Sequence, residues 1–308
     1  MPDIDSTHFD LGSVVEALSA NNTAVCRSGS RPACMQPLPS RDAVIGVTEL
    51  LRSALFPGYF GVSELTQHSM RFHIGATLDH VQRILGEQVR RGLCFACDHE
   101  SPSPDCEARA ANITRTFLAR LPEVQRLVAS DVQAAYEGDP ALTSPDEAIF
   151  CYPGVSAITS YRLAHAMHRL GVPLLPRMIT EHAHSTTGID IHPGASVGEM
   201  FFIDHGTGVV IGETCIIGKR VRIYQGVTLG AKSFPLDAQG NPIKGIPRHP
   251  IVEDDVVIYS GATILGRITL GQGSIIGGNV WLTRSIPAGS RVTQVQARQE
   301  IFEAGGGI

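Results

Sequence analysis

Residues 251–282 read IVEDDVVIYSGATILGRITLGQGSIIGGNVWL, and an aliphatic side chain returns at every sixth position: Val252, Ile258, Ile264, Leu270, Ile276 and Leu282. Small or branched residues follow four places later, at Val256, Ala262, Ser274 and Val280. A 3.6-residue helix does not generate this spacing, and neither does an alternating strand. Six-residue periodicity with glycine or small polar residues between is the hexapeptide signature of a parallel β-helix. Three hexapeptides make one triangular coil, so each aliphatic residue points inward and stacks on its counterpart about 18 residues on.

Toward the N-terminus the same period holds at Ile211, Ile217, Ile223 and Leu229, and before that at Ile191, Val197 and Ile203. The thirteen positions predict roughly four coils. Two interruptions stand out. Between Ile203 and Ile211 the register slips by two residues, at His205-Gly206-Thr207-Gly208. Between Leu229 and Val252 a Gly- and Pro-rich excursion runs from Ser233-Phe234-Pro235 through Gly245-Ile246-Pro247. A solenoid needs no such loop for stability, and long loops on rigid scaffolds commonly build sites.

Ahead of the coils the pattern is helical, so the expected fold class is α+β: an all-helical domain followed by a left-handed parallel β-helix. Leu78, Val81, Ile84, Leu85 and Val89 give a helix over Ala76–Cys94, with Asp105 as the cap of the next. Further helices are expected over Leu121–Tyr136, ended by Gly138-Asp139-Pro140, over Ser156–Leu170 and over Arg177–His184. The boundaries expected are a loose extension over 1–40, the helical domain over 41–187, the β-helix over 188–292 and a tail over 293–308.

Composition removes several classes. Apolar residues make up 43% and charged residues 18%, which is globular rather than disordered. A net charge of −5 provides no basic field for nucleic acid. No apolar run approaches the roughly 20 residues a membrane helix needs. Seven cysteines form an odd set without disulfide-scaffold spacing, which points to a reducing cytoplasm.

Candidate chemistry gathers at the interruptions: Asp190-Ile191-His192, Asp204-His205 and Arg248-His249. A histidine with an orienting carboxylate is the minimum for a general base, because the carboxylate fixes the tautomer and stabilises the imidazolium. Asp190 and Asp204 stand less than one coil apart, so their neighbourhoods are expected to meet on adjacent rungs. His165, His168, His182 and His184 fall on helices and read as packing or surface residues, and His192, before Pro193, as a turn cap.

Five segments resemble the serine acetyltransferase family: Asp139-Pro140-Ala141, IDIHPGA at 189–195, IDHGTGVVIGET at 203–214, QGVTLG at 225–230 and Arg248-His249-Pro250. The likeness spans roughly 105–295. It implies acetyl transfer from acetyl-CoA to the hydroxyl of L-serine by direct attack, with His205 as general base and Asp190 orienting it. It further implies that Asp139 and Asp204 hold the serine ammonium, that Arg248 meets its carboxylate, and that His249 stands near the reacting groups. Gly230, Ala231, Ser260 and Gly278 resemble the CoA-contacting turns. No resident metal is implied. L-cysteine is implied as a feedback inhibitor, and a homotrimer or dimer of trimers as the assembly.

The chain departs from the family in a longer loop before Arg248, and in Gln294-Val295-Gln296-Ala297-Arg298 where Gly-Val-Pro-Ala-Arg usually closes the β-helix. Its first 100 residues match only as helical. Gly305-Gly306-Gly307-Ile308 resembles the tails that such enzymes insert into O-acetylserine sulfhydrylase, with Ile308 as the contact. Cys94, Cys97, His99 and Cys106 have half the spacing of a zinc knuckle, and are read as packed thiols rather than a metal or redox site. An acetyltransferase for another hydroxyl, on a sugar or an antibiotic, is the alternative. A non-catalytic scaffold is a more distant one.

Overall fold

The computed structural model describes residues 10–25, 37–96 and 104–295. Ile308, Cys97, His99 and the 296–298 part of the altered closing segment lie outside these residues. The helical half comprises α1 (Leu11–Val25), α2 (Arg41–Leu55), α3 (Gln67–Ala96), α4 (Pro104–Ala119), α5 (Leu121–Gly138), α6 (Pro145–Cys151), α7 (Pro153–His168) and α8 (Leu175–Thr187).

Local chemistry explains where these helices differ from the sequence reading. The segment expected to stay loose carries α1, whose Leu11, Val14, Val15 and Leu18 stand at helical spacing but are exposed. Asp105 lies inside the first turn of α4 rather than capping it. The α7 helix begins at Pro153, because a proline in the first turn has no N–H to leave unpaired. Ser144 caps the short α6, which the sequence pattern did not single out, by accepting from the Glu147 N–H at 3.3 Å. Val44, Leu51, Val81, Leu85, Val89, Phe117 and Val128 share the helical core with Leu163, Leu175 and Ile179. Each such burial contributes about 1.5–3 kcal/mol. Cys94 and Cys106 are buried in that core.

The second half is a parallel β-helix. Its first coil is β1 (Asp190–Ile191), β2 (Ser196–Val197) and β3 (Phe202–Asp204). The second is β4 (Val210–Ile211), β5 (Ile216–Ile217) and β6 (Arg222–Tyr224). The third is β7 (Thr228–Gly230), then the long loop, β8 (Ile251–Val252) and β9 (Val257–Ile258). A fourth, β10 (Thr263–Leu265), β11 (Thr269–Leu270) and β12 (Ile275–Ile276), precedes a last partial coil, β13 (Trp281–Leu282) and β14 (Arg291–Val292). That is nearly five turns rather than four, because beyond Leu282 the chain leaves the six-residue step yet still bridges Ile286 to Leu270.

The three faces are β1-β4-β7-β10-β13, β2-β5-β8-β11 and β3-β6-β9-β12-β14, every neighbour parallel. Ile211 stacks on Leu229, one coil of three hexads further along the chain. Ile203 stacks on Ile223, slightly more than three hexads further along, so the slip at 205–208 is absorbed in one corner without turning any aliphatic outward. The inward column Ile191, Ile211, Leu229, Ile264 is at most 2% exposed.

A buried fork joins the two halves. Arg162 on α7 donates to both carboxylate oxygens of Asp131 on α5, at 3.0 and 2.9 Å, and to the carbonyls of Val197 and Gly198 at 2.6 and 2.5 Å. Asp131 also accepts the Phe201 N–H at 2.9 Å. At Gly154 the first turn of α7 lies against β3: a Cβ there would stand 2.3 Å from the Ile203 carbonyl oxygen. Among the described residues no helix is long and apolar enough to cross a membrane.

Candidate active site

The candidate residues fall on two edges of the triangular prism. Along the first edge the chain turns from the β3 face to the β1 face. Its rungs stack through Gly226 N–H to Thr207 O at 2.9 Å, Gly261 N–H to Gln225 O at 2.9 Å, and Asn279 N–H to Ser260 O at 2.8 Å. His205 opens this edge in a left-handed conformation, φ 55°, which costs a non-glycine residue roughly 1–3 kcal/mol and clusters at functional sites. Its side chain is 75% exposed, whereas that of the adjoining Asp204 is 15% exposed. Asp204 Oδ1 stands 3.8 Å from His205 Nε2.

Asp139, far earlier in the sequence, arrives at the same corner as the C-cap of α5. Its Oδ1 accepts the Ala141 N–H at 2.8 Å and its Oδ2 accepts the Tyr152 hydroxyl at 2.6 Å. The Tyr152 bond, then the Ala141 bond, hold the Asp139 carboxyl below its ordinary range, with the Arg222 guanidinium adding to the shift. Burial, and then the bond to Asp139, push the Tyr152 phenol up, with Asp204 adding to the shift. Asp139, Tyr152, Asp204 and His205 therefore act on one another across a single corner.

Asp190 begins β1, and its neighbourhood meets that of Asp204 across successive rungs of this edge, as expected: the Gly208 N–H donates to Gly188 O at 2.8 Å, and a Cβ on Gly206 would stand 2.4 Å from Ile189 Cδ1. The Cα partner of Asp190 is Val210, and the Asp190 N–H donates to the Val209 carbonyl at 2.9 Å. Among the described residues no hydrogen bond or ion pair joins the Asp190 carboxylate to His205. Ser260 and Gly278 also lie on this edge, where a Cβ on Gly278 would stand 3.3 Å from Ser260 O. Tyr224 and Tyr259 stack beside them with ring centroids 5.1 Å apart.

The second edge, between the β1 and β2 faces, carries Arg248 and His249. Arg248 Nη2 donates to Glu213 Oε2 at 2.6 Å. The Thr214 hydroxyl oxygen accepts the N–H groups of Arg248 and His249, at 2.9 and 3.1 Å. The Thr214 N–H donates to His249 Nδ1 at 3.0 Å. A backbone N–H can only donate, so Nδ1 is the acceptor and the neutral ring carries its proton on Nε2. Burial and then the Arg248 charge lower the His249 pKa to about 4. Arg267 pins the returning loop by donating to the carbonyls of Thr214 and His249, at 2.7 and 3.0 Å. His192 caps its own turn by accepting the Gly194 N–H at 3.0 Å. Gly230 and Ala231 leave the β-helix at this edge.

One chain thus brings Asp139, Asp204 and His205 together and holds Arg248 and His249 elsewhere. Four residue steps, from Gly208 to Gly212, separate the edges, roughly 13 Å at about 3.3 Å per residue. Sequence reasoning assigned no role to Tyr152, Glu213 or Thr214. The last two stand in the quoted GET block, and the local signal at Tyr152 is the proline that follows it, which restricts its backbone.

A hexapeptide β-helix with an imidazole and carboxylates on one edge, and cationic and neutral donors on the next, has the build of the hexapeptide acyltransferases. No protein-family model matches the chain. A plasmid-borne serine acetyltransferase of Synechococcus elongatus is 55% identical over 97% of this chain and 95% of its own. Among solved structures, serine acetyltransferase isoform 3 of Entamoeba histolytica, in complex with cysteine, is similar at 32% identity and a TM-score of 0.71, over 95% of this chain and 93% of that one. The Neisseria gonorrhoeae serine acetyltransferase in complex with serine is similar at 27% identity and a TM-score of 0.53, over 84% and 97%. The Brucella abortus serine acetyltransferase in complex with coenzyme A gives 27% and 0.53, over 82% and 94%. The chain belongs to the serine acetyltransferase family.

Proposed function

We propose that the protein transfers acetyl from acetyl-CoA to the hydroxyl of L-serine, releasing O-acetyl-L-serine and CoA. The observation that carries this reading is the corner where Asp139 and Asp204 flank His205: an anionic clamp for an α-ammonium beside an exposed imidazole. His205 takes the serine hydroxyl proton as the oxygen attacks the thioester carbonyl. The tetrahedral adduct then collapses, the C–S bond breaks, and the departing thiolate recovers that proton from the imidazolium. An alcohol near pKa 15 needs the base at the moment of attack, and general-base assistance contributes about 10²–10⁴-fold. Asp190 orients the imidazole, through a hydrogen bond that forms in the substrate complex.

Arg248 clamps the serine carboxylate and His249 offers its Nε2–H near the reacting groups. The separation of the two edges supports a site completed between copies, with the first edge of one chain facing Arg248, His249, Gly230 and Ala231 of the next. A homotrimer of β-helices, doubled through the helical halves, arranges this. CoA lies along Ser260 and Gly278. The complexes of relatives with serine and with coenzyme A support the substrates, and the complex with cysteine supports L-cysteine as a competitor for the same clamps. The odd cysteine set supports a cytoplasmic setting. The docking of the segment ending at Ile308 into O-acetylserine sulfhydrylase rests on sequence resemblance, and loss of the complex on deleting Ile308 tests it.

CoA thiol release with L-serine, compared against other amino alcohols, sugars and aminoglycosides, tests the function. L-serine is the preferred acceptor, and equal release with a sugar hydroxyl overturns the reading.

A further inference from the structure

We propose that Tyr152 determines specificity for the α-amino group of the acceptor, by fixing the Asp139 carboxylate and supplying a third acceptor to the ammonium. The proposal deepens the serine reading and rests on it. Tyr152 joins α6 to α7, extended at φ −84° and ψ 118° as a residue before proline must be. The α7 helix that follows is pressed by Gly154 onto Ile203, one residue before Asp204. The phenol is therefore held in fixed relation to the Asp204-His205 pair, not carried on a free loop.

Tyr152 has one hydroxyl proton, and it goes to Asp139 Oδ2 at 2.6 Å. The other carboxylate oxygen is taken by the Ala141 N–H. Both oxygens are thereby aimed, and the carboxylate cannot rotate without losing a bond. Burial and the adjoining carboxylates keep the phenol protonated, so the donor survives at every working pH. With its proton committed, the Tyr152 oxygen can only accept. An ammonium has three N–H donors, and Asp139, Asp204 and Tyr152 provide three acceptors around one corner. A hydroxy acid without the amine brings no N–H donors to these three acceptors.

The test is Tyr152→Phe in the full chain, which keeps the ring and removes only the hydroxyl. A hydrogen bond involving a charged group lost at this point corresponds to roughly a 10- to 100-fold rise in the serine KM. The acetyl-CoA KM and the thermal transition stay near wild type, and kcat changes less than KM. Inhibition by L-cysteine weakens in parallel with serine binding, while inhibition by 3-mercaptopropionate, which lacks the amine, does not. An unchanged serine KM, or equal weakening of both thiols, overturns the proposal. Failure of the underlying serine reading is seen separately, as absence of CoA release by the wild-type protein with L-serine.

Discussion

The imidazole of His249 lies directly against the α-carbon of Gly212: a Cβ added at Gly212 would stand 2.1 Å from His249 Cδ2 and 2.2 Å from Nε2. The ring cannot slide away cheaply, because Thr214 holds its Nδ1 and its backbone N–H. The neighbouring Arg248 is tied to the same hydroxyl.

Gly212→Ala therefore displaces the His249 side chain and the Arg248 turn. Overpacking of this kind costs about 1–3 kcal/mol, which a thermal melt reports as a modest fall. Steady-state kinetics are expected to show a far larger loss, at least about tenfold in kcat/KM for serine. Wild-type kinetics in the folded variant would mean that the ring is not part of the site.

His205→Ala removes an exposed side chain and should leave the β-helix folded. Turnover is expected to fall by about 10²–10⁴-fold, with Asp190→Asn losing less. Near-wild-type CoA release by a folded His205→Ala protein would sink the assignment of the base.

If one site draws on two chains, two dead variants can repair each other. His205→Ala and Arg248→Ala are each expected to be inactive, and co-refolded mixtures to regain activity, because some contacts then pair an intact first edge with an intact second edge. Mixtures as inactive as their components, under conditions where wild-type and tagged chains exchange, rule out the shared site.

His249 and His192 both have pKa values lowered to about 4 from 6.5, mainly by burial. The unfolded chain binds more protons than the folded one between these values. Their contribution is therefore intact above about pH 6.5 and lost as the pH falls toward 4. The transition temperature should drop across that window. His249→Asn, whose Oδ1 can still accept the Thr214 N–H, should flatten the dependence in part, and an unaltered pH profile would contradict the buried neutral ring.

The Asp131–Arg162 fork, whose side chains are at most 4% exposed, is expected to be the most sensitive joint between the halves. Arg162→Met strands a buried carboxylate with only the Phe201 N–H as donor, at a cost of about 3–5 kcal/mol. Burial already pushes the Asp131 carboxyl up, so without arginine it protonates readily and the deficit shrinks at lower pH. Denaturant titrations at neutral and acidic pH read this directly.

The β-helix was legible in the chain alone, because a solenoid core is a local rule. Each hexad must send one aliphatic inward, so Val252, Ile258 and Ile264 state their positions without knowledge of distant residues. The slip at His205 and the loop before Arg248 were legible too, since departures from a strict period are visible wherever the period is strong. Helix limits such as Asp105 and Pro153 were less so, because caps depend on one or two side chains rather than on a pattern. Long-range packing alone brought Asp139 and Tyr152 to the Asp204-His205 corner. That meeting depends on α5 and α7 packing against β3 through Gly154 and the Asp131–Arg162 fork, contacts 31 to 70 residues apart in sequence that no local period encodes. Packing also set His205 and Arg248 on different edges, because a residue's edge is fixed by summing every slip and loop before it around the triangle.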